Sequence, residues 1–238
     1  MTSAELYREG RLNAAIQALG VELRDNPADQ KRRTFLFELL CFAGEYDRAE
    51  KHLDVLAGGG PDALTGSLLY RAAMAAERTR NDLFARKDYP STEAEPVSGT
   101  LNGKPFESLE DADSRIGPRL EVYAAGQYMW MPFEHIQTVR LEAPKLLRDL
   151  LWARAIVRPA ESFKGLEFGE ALIPAIAPLT WQHPDGAIRL GRATEWVEFE
   201  DGSQGPVGQK MLLVDDEEFP ILELRELEIL PPDAAPSA

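Results

Sequence analysis

An α+β fold, helices first and antiparallel strands after, is predicted by three observations. One pattern occurs twice in the first 61 residues at a spacing of 34: Gly10-Arg-Leu-Asn-Ala-Ala15-Ile with Leu19 and Pro27, then Gly44-Glu-Tyr-Asp-Arg-Ala49-Glu with Leu53 and Pro61. Apolar residues keep a helical period to about Arg78, then become short, alternating and turn-punctuated beyond Arg119. With 238 residues, 44% of them hydrophobic, the chain can bury a substantial core.

A turn glycine, a small alanine, an apolar residue and a helix-stopping proline recurring at 34 residues is the tetratricopeptide (TPR) spacing, a helix-turn-helix unit that stacks. Residues 1–86 are therefore read as a TPR-like, protein-binding helical domain. A short helix near Ala4–Glu9 turns at Gly10 into a longer one ending before Pro27, which cannot continue it. The second unit runs from about Asp29 to Ala43, turns at Gly44 and stops at Gly58-Gly-Gly-Pro61. A closing helix, about Ala63–Arg78, carries a face of leucines and alanines suited to close packing. Two repeats and one helix are too few to stand alone, so the rest of the chain is expected to brace them.

Residues 87–106, rich in Pro, Gly, Ser and Thr, read as a linker or surface loop. Residues 107–230 read as an α+β domain rich in antiparallel strands, a small barrel or bent sheet. Its strand candidates are Arg119–Ala125 and Gln127–Met131 around a turn at Gly126, then Leu150–Val157, Leu166–Ile173, Thr194–Phe199, Lys210–Val214 and Ile221–Ile229. Short helices are expected near Ser108–Ser114 and Pro144–Leu147. The acidic run Asp215–Glu218 reads as a solvated turn, and residues 231–238 as a disordered tail.

The net charge is −14, and residues 81–238 hold 13 of the excess negative charges. No basic stripe offsets them, so neither nucleic acid nor an anionic membrane is an expected partner. The first residues lack an apolar run behind a basic start, and no stretch approaches 18 consecutive apolar residues. A cytoplasmic protein is expected. Cys41 is the single cysteine, which leaves no internal disulfide. The three histidines, His52, His135 and His183, lack zinc-site spacing, and no nucleophile-elbow, Walker or dinucleotide motif occurs. No cofactor, metal or catalytic residue is expected.

Counting back from Gly44 separates a packing side, Leu36 and Leu40, from a groove side, Lys31, Thr34, Glu38 and Cys41. Tyr7 matches Cys41 in the preceding unit, and Leu68 and Ala72 continue the face on the third helix. This mixed polar and apolar face suits an amphipathic helix laid along it; the other reading is that the chain's own linker covers it. Tyr128 and Trp130 share one side of a strand and Met129 and Met131 the other; the aromatics read first as core packing and otherwise as a groove for a partner's apolar side chains, and whichever pair faces away from the core is expected at the interface of helices and strands. A competing reading is a small enzyme using Glu134, Asp149 or Glu195, recruited by the repeats.

Several C-terminal blocks resemble, in order, the ImpE/TagJ family of type VI secretion system accessory proteins. They are Asp113-Ser-Arg-Ile-Gly117, Glu121-Val-Tyr-Ala-Ala-Gly126-Gln-Tyr128-Met-Trp130-Met-Pro132-Phe-Glu134-His-Ile136, Leu147-Arg-Asp-Leu150-Leu-Trp152 and Leu190-Gly-Arg-Ala-Thr-Glu-Trp196. His135 and Trp152-Ala-Arg-Ala depart from the family pattern at positions other than its glycines, tryptophans and prolines. The resemblance implies a non-enzymatic adaptor that binds the N-terminal helix of the small contractile-sheath subunit. In some systems it also implies a link from the sheath to the recycling AAA+ ATPase.

Overall fold

The two turn glycines organise the helical half. In the computed structural model, which describes residues 1–90, 94–161, 163, 170–200 and 202–231, Gly10 (φ +77°) joins α1 (Ser3–Arg8) to α2 (Leu12–Asp25). Gly44 (φ +71°) joins α3 (Gln30–Phe42) to α4 (Tyr46–Ala57). Both adopt the left-handed backbone that glycine tolerates without a Cβ penalty. The repeat residues Ala15 and Ala49, with Leu19 and Leu53, are buried in matching positions. A capping box starts α1: Thr2 accepts from the Glu5 amide, and Glu5 accepts from that of Thr2.

The closing helix is longer than its apolar stripe suggests. α5 runs Pro61–Ala85, because Glu77, Arg80, Asn81 and Phe84 continue to be buried where the sequence reads as turning polar. No helix among the described residues is long and apolar enough to cross a membrane.

Eight strands form one open antiparallel sheet in the order β2-β1-β13-β6-β7-β8-β4-β5. They are β1 (Gly99–Leu101), β2 (Lys104–Phe106), β4 (Arg119–Ala124), β5 (Gln127–Pro132), β6 (Ile136–Leu141), β7 (Trp152–Pro159), β8 (Glu170–Pro174) and β13 (Glu226–Ile229). A three-stranded sheet joins β12 (Glu217–Pro220), β11 (Met211–Val214) and β3 (Leu109–Asp111), and β9 (Thr194–Glu198) pairs with β10 (Gln204–Gly208). One cluster holds residues of all eight large-sheet strands together with Leu109, Leu212, Ile221 and Leu224. The opposite face of the large sheet meets the helices: Tyr123, Leu151, Trp152 and Leu172 share a core with Leu36, Tyr70 and Met74.

Several expectations are corrected here. Residues 99–106 of the expected linker are β1 and β2. Pro105 is tolerated because β2 is an edge strand, and a Cβ on Gly99 would come within 1.9 Å of the Glu228 carbonyl oxygen on β13. β6 escapes the pattern because a register irregularity between Ile136 and Thr138 shifts the phase of its buried residues, Ile136, Val139 and Leu141. The stretch 108–114 contains β3 rather than a helix, and the short helix expected near Pro144–Leu147 lies at Leu147–Leu150 as a 3-10 helix. Asp215 is more than a solvated turn residue: its Oδ1 accepts from the Glu107 and Ser108 amides at 2.8 Å each, while Glu217 and Glu218 belong to β12. The strand expected from Leu166 and the tail expected from Pro231 fall partly on residues 166–169 and 232–238, outside the described residues.

The second half braces the repeats at their turns. Trp181 lies over Gly44, where a Cβ would stand 2.7 Å from the indole, and α6 (Gly186–Arg189) sits on the α1–α2 turn, with Gly186 against the Gly10 carbonyl. Arg189 donates to Asn13 Oδ1 (3.0 Å) and Arg192 to the Arg8 carbonyl (2.7 Å). The glycines that permit the turns also permit this close approach.

Candidate functional site

The chain itself occupies much of the face that counting from Gly44 marks as a groove. Glu38 is buried and accepts from Arg148 NH1 at 2.8 Å; burial pushes its carboxyl up against the pull of that guanidinium. Cys41 is buried beside it, and burial pushes its thiol up as well. Tyr7 packs edge-on to Phe35 beneath the Arg192 guanidinium. Thr34 donates to the Gln30 carbonyl of its own helix, and Lys31 is exposed. Glu38 and Cys41 are thus closed to a partner in this fold. What covers them is the 147–152 segment with residues near 176–181, not the linker. Arg148 ties Glu38 of α3 to Tyr70 of α5.

Tyr128 and Trp130 lie at the junction of helices and sheet. Trp130 packs edge-on against Phe84 of α5 and against Tyr128. Its indole N–H is buried without a hydrogen-bond acceptor among the described residues. The Tyr128 hydroxyl donates to Glu121 at 2.5 Å.

Glu121 is the centre of a buried charge cluster that fastens α5 to the strands. Arg80 donates Nε and NH2 to its two oxygens at 2.7 Å each, and Lys210 Nζ approaches Oε2 at 2.5 Å. Glu77 accepts from Arg80, Asn81, Tyr123 and Trp152. Lys210 also forms an ion pair with Asp111, without good hydrogen-bond geometry. Formally three carboxylates face two cations. Glu77 and Glu121 each take four donors, whereas Asp111 has Lys210 as its one cation. Burial raises the Asp111 carboxyl to about 7 despite Lys210. Burial also opposes ionisation of Glu121, but Arg80 and Lys210 outweigh it and hold that group at about 2. Every member is enclosed and spent on protein partners, which is the chemistry of a structural clamp.

An open feature lies on the other side of α5. A cleft of about 210 Å³ is lined by Leu172, Ile156, Arg154, Glu170 and Glu142 on the sheet side and walled by Leu69 and Ala72 of α5. Leu64 and Leu68, 52% and 60% exposed, extend the wall as a ridge of every fourth residue ending at Ala72. Across the cleft, Ile156 of β7 is 48% exposed. Leu68 and Ala72 are therefore the two sequence-marked residues at an accessible apolar surface. Arg154, Ile156 and Arg158 went unmarked. The legible signal was an isoleucine in the outward register of β7 between two arginines.

The family profile described as ImpE protein matches residues 103–228, more than half of the chain. The chain belongs to the ImpE family. This ImpE-family chain is 34% identical to the type VI secretion system accessory component TagJ of Pseudomonas aeruginosa, over 98% of its own length and 93% of TagJ. Its fold matches the crystal structure of protein VPA1032 from Vibrio parahaemolyticus with a TM-score of 0.82 at 22% identity, covering 96% of this chain and 97% of that one.

Proposed function

We propose that this chain is a non-enzymatic, cytoplasmic adaptor of a bacterial type VI secretion system. In this reading it binds the N-terminal helix of the small contractile-sheath subunit and links the sheath to its recycling AAA+ ATPase. Kinship with TagJ along nearly the whole chain supports the system. The observation that carries the docking role is the exposed Leu64, Leu68 and Leu69 ridge beside an apolar cleft, a surface of the kind that takes an amphipathic helix.

Three or four apolar side chains buried at ~1.5–3 kcal/mol each, less the cost of ordering the peptide, permit micromolar binding. The enzyme reading has less support. None of Glu134, Asp149 and Glu195 lines the cleft. Asp149 caps a turn, accepting from the Lys145 and Leu146 amides, and buried Glu77 and Glu121 are saturated by the fold's own donors. Anisotropy of a labelled sheath-subunit N-terminal peptide titrated with the full chain tests the proposal. Saturation in the micromolar range supports it, and an unchanged signal at high micromolar protein refutes it.

A further inference from the structure

A second recess lies where the C-terminal half grips the first repeat. About 180 Å³ of space opens between the start of α2 and α6, lined by Arg11, Asn13 and Ala14 on one side and by Pro184, Gly186 and Arg189 on the other. α2 begins there without the usual partner for its first amides. Arg11 stands at the N-cap with no side-chain hydrogen bond, and the first turn holds no acidic residue. Among the described residues the Asn13 and Ala14 amides have no acceptor, so the positive end of a 14-residue helix borders the recess.

A bare helix end is ordinary where only water covers it; Arg189 sets this one apart. Its side chain is buried, at 9% exposure, in the wall of the recess. NH1 donates to Asn13 Oδ1 at 3.0 Å and NH2 to the Ala43 carbonyl at 3.4 Å, both neutral acceptors. Its Nε is the one cationic donor among the described residues that is buried without any acceptor. No carboxylate among the described residues lies within ion-pair distance of this guanidinium. Burial pulls its pKa down, opposed by the more distant Glu45, which Arg48 engages. A guanidinium removed from water without a counter-ion costs stability, and an anion placed beside it offsets that cost.

The carboxylates nearest the recess are already engaged. Glu9 lies 3.7 Å from Arg11, and Asp185 Oδ1 caps α6 by accepting from the Ala187 amide at 2.8 Å. Neither lines the recess. Its polar side chains are two guanidinium groups and Asn13, whose Nδ2 is turned away from Arg189 because Arg189 donates to Oδ1. Donors on two sides, a helix end and a guanidinium, match a group whose oxygens point in more than two directions, as those of phosphate do.

We propose that the recess between the start of α2 and α6 binds a phosphate group, its oxygens on the Asn13 and Ala14 amides, its charge against Arg189, and Arg11 at the mouth. The site is separate from the surface on α5 and does not depend on the adaptor reading. Occupied, it ties the first repeat to α6 and stabilises their junction. The test follows the Asn13 and Ala14 amide resonances of the full chain as inorganic phosphate, glycerol phosphate, acetate or chloride is added to about 20 mM at a fixed ionic strength of about 150 mM. Saturable shifts and a higher melting temperature are expected with phosphate, and acetate and chloride are expected to bind at least tenfold more weakly. A response to both phosphates assigns the group as such, to inorganic phosphate alone the free ion, and to glycerol phosphate alone an ester. Arg189→Gln is expected to weaken phosphate binding at least tenfold. Where that buried change prevents folding, Arg11→Glu decides: its side chain is exposed, so the variant folds, and it is expected to lose at least tenfold in affinity. Arg24→Glu, in the last turn of α2, is expected to lose none. No shift at the highest phosphate concentration, shifts that acetate or chloride reproduces, or an affinity untouched by Arg11→Glu overturns the proposal.

Discussion

Arg80 grips Glu121 with both arms of its guanidinium fork, at 2.7 Å each, where helix α5 crosses strand β4. Both side chains are buried, at 1% and 0% exposure. Removing one partner of such a pair strands a charge away from water, whereas removing both leaves mainly a packing problem. Arg80→Met is expected to cost ~3–5 kcal/mol by denaturant unfolding, and Arg80→Met with Glu121→Leu less than the sum of the single changes. Additive losses would show that the pair does not act as a unit.

Asp111 gives the cluster its pH response. Burial raises its carboxyl to about 7, so the folded chain holds this proton more tightly than the unfolded chain. The resulting stability is fully present below the unfolded value near 3.8 and is lost as pH rises through about 7. Glu121 works in the opposite sense: held at about 2, it stabilises above the ordinary carboxylate range and loses that contribution as pH falls through about 2. In Asp111→Asn the denaturation midpoint is expected to decline less than the parent's between about pH 4 and pH 7. An unaltered slope would place the proton elsewhere.

Gly186 tests the bracing of the repeats. A Cβ there would stand 2.1 Å from the Gly10 carbonyl oxygen and 3.0 Å from the Leu12 amide nitrogen. Gly186→Ala should destabilise by ~1–3 kcal/mol as α6 is pushed off the α1–α2 turn. Gly66, inside α5 with open space around it, is the control: Gly66→Ala should stabilise by ~0.5–1 kcal/mol. Similar effects in the two variants would mean that α6 does not dock there.

Leu68 separates binding from folding. At 60% exposure, Leu68→Glu should shift unfolding by no more than ~0.5 kcal/mol. Anisotropy should show sheath-subunit peptide binding falling at least tenfold, ~1.4 kcal/mol. Loss of folding in step with binding would assign Leu68 to the core.

The helical half was legible because its signals are local. Gly10 and Gly44, Ala15 and Ala49, Leu19 and Leu53 repeat in register and hold equivalent places. The sheet was legible only where alternation is unbroken, as in β4, β5 and β7. β6 was hidden by its irregular register, and β1 and β10 by glycines that permit close approach, Gly99 to Glu228 of β13 and Gly205 to Asp113. The burial of Glu38 and Cys41 depends on Arg148 and Trp152, more than 100 residues away in sequence, and no period in the helices encodes such a contact. For the same reason Arg154 and Ile156 were not marked: only the fold sets them across from Leu68 and Leu69.

The central claim is that the second half covers the inner face of the repeats and leaves the cleft between α5 and β7 as the docking surface. Hydrogen–deuterium exchange of the full chain with and without the sheath-subunit N-terminal peptide tests it most directly. The predicted result is slowed exchange confined to residues 64–73 and to β6–β8 around Ile156. Protection centred on residues 30–42 instead, or none at peptide concentrations that saturate anisotropy, would contradict it.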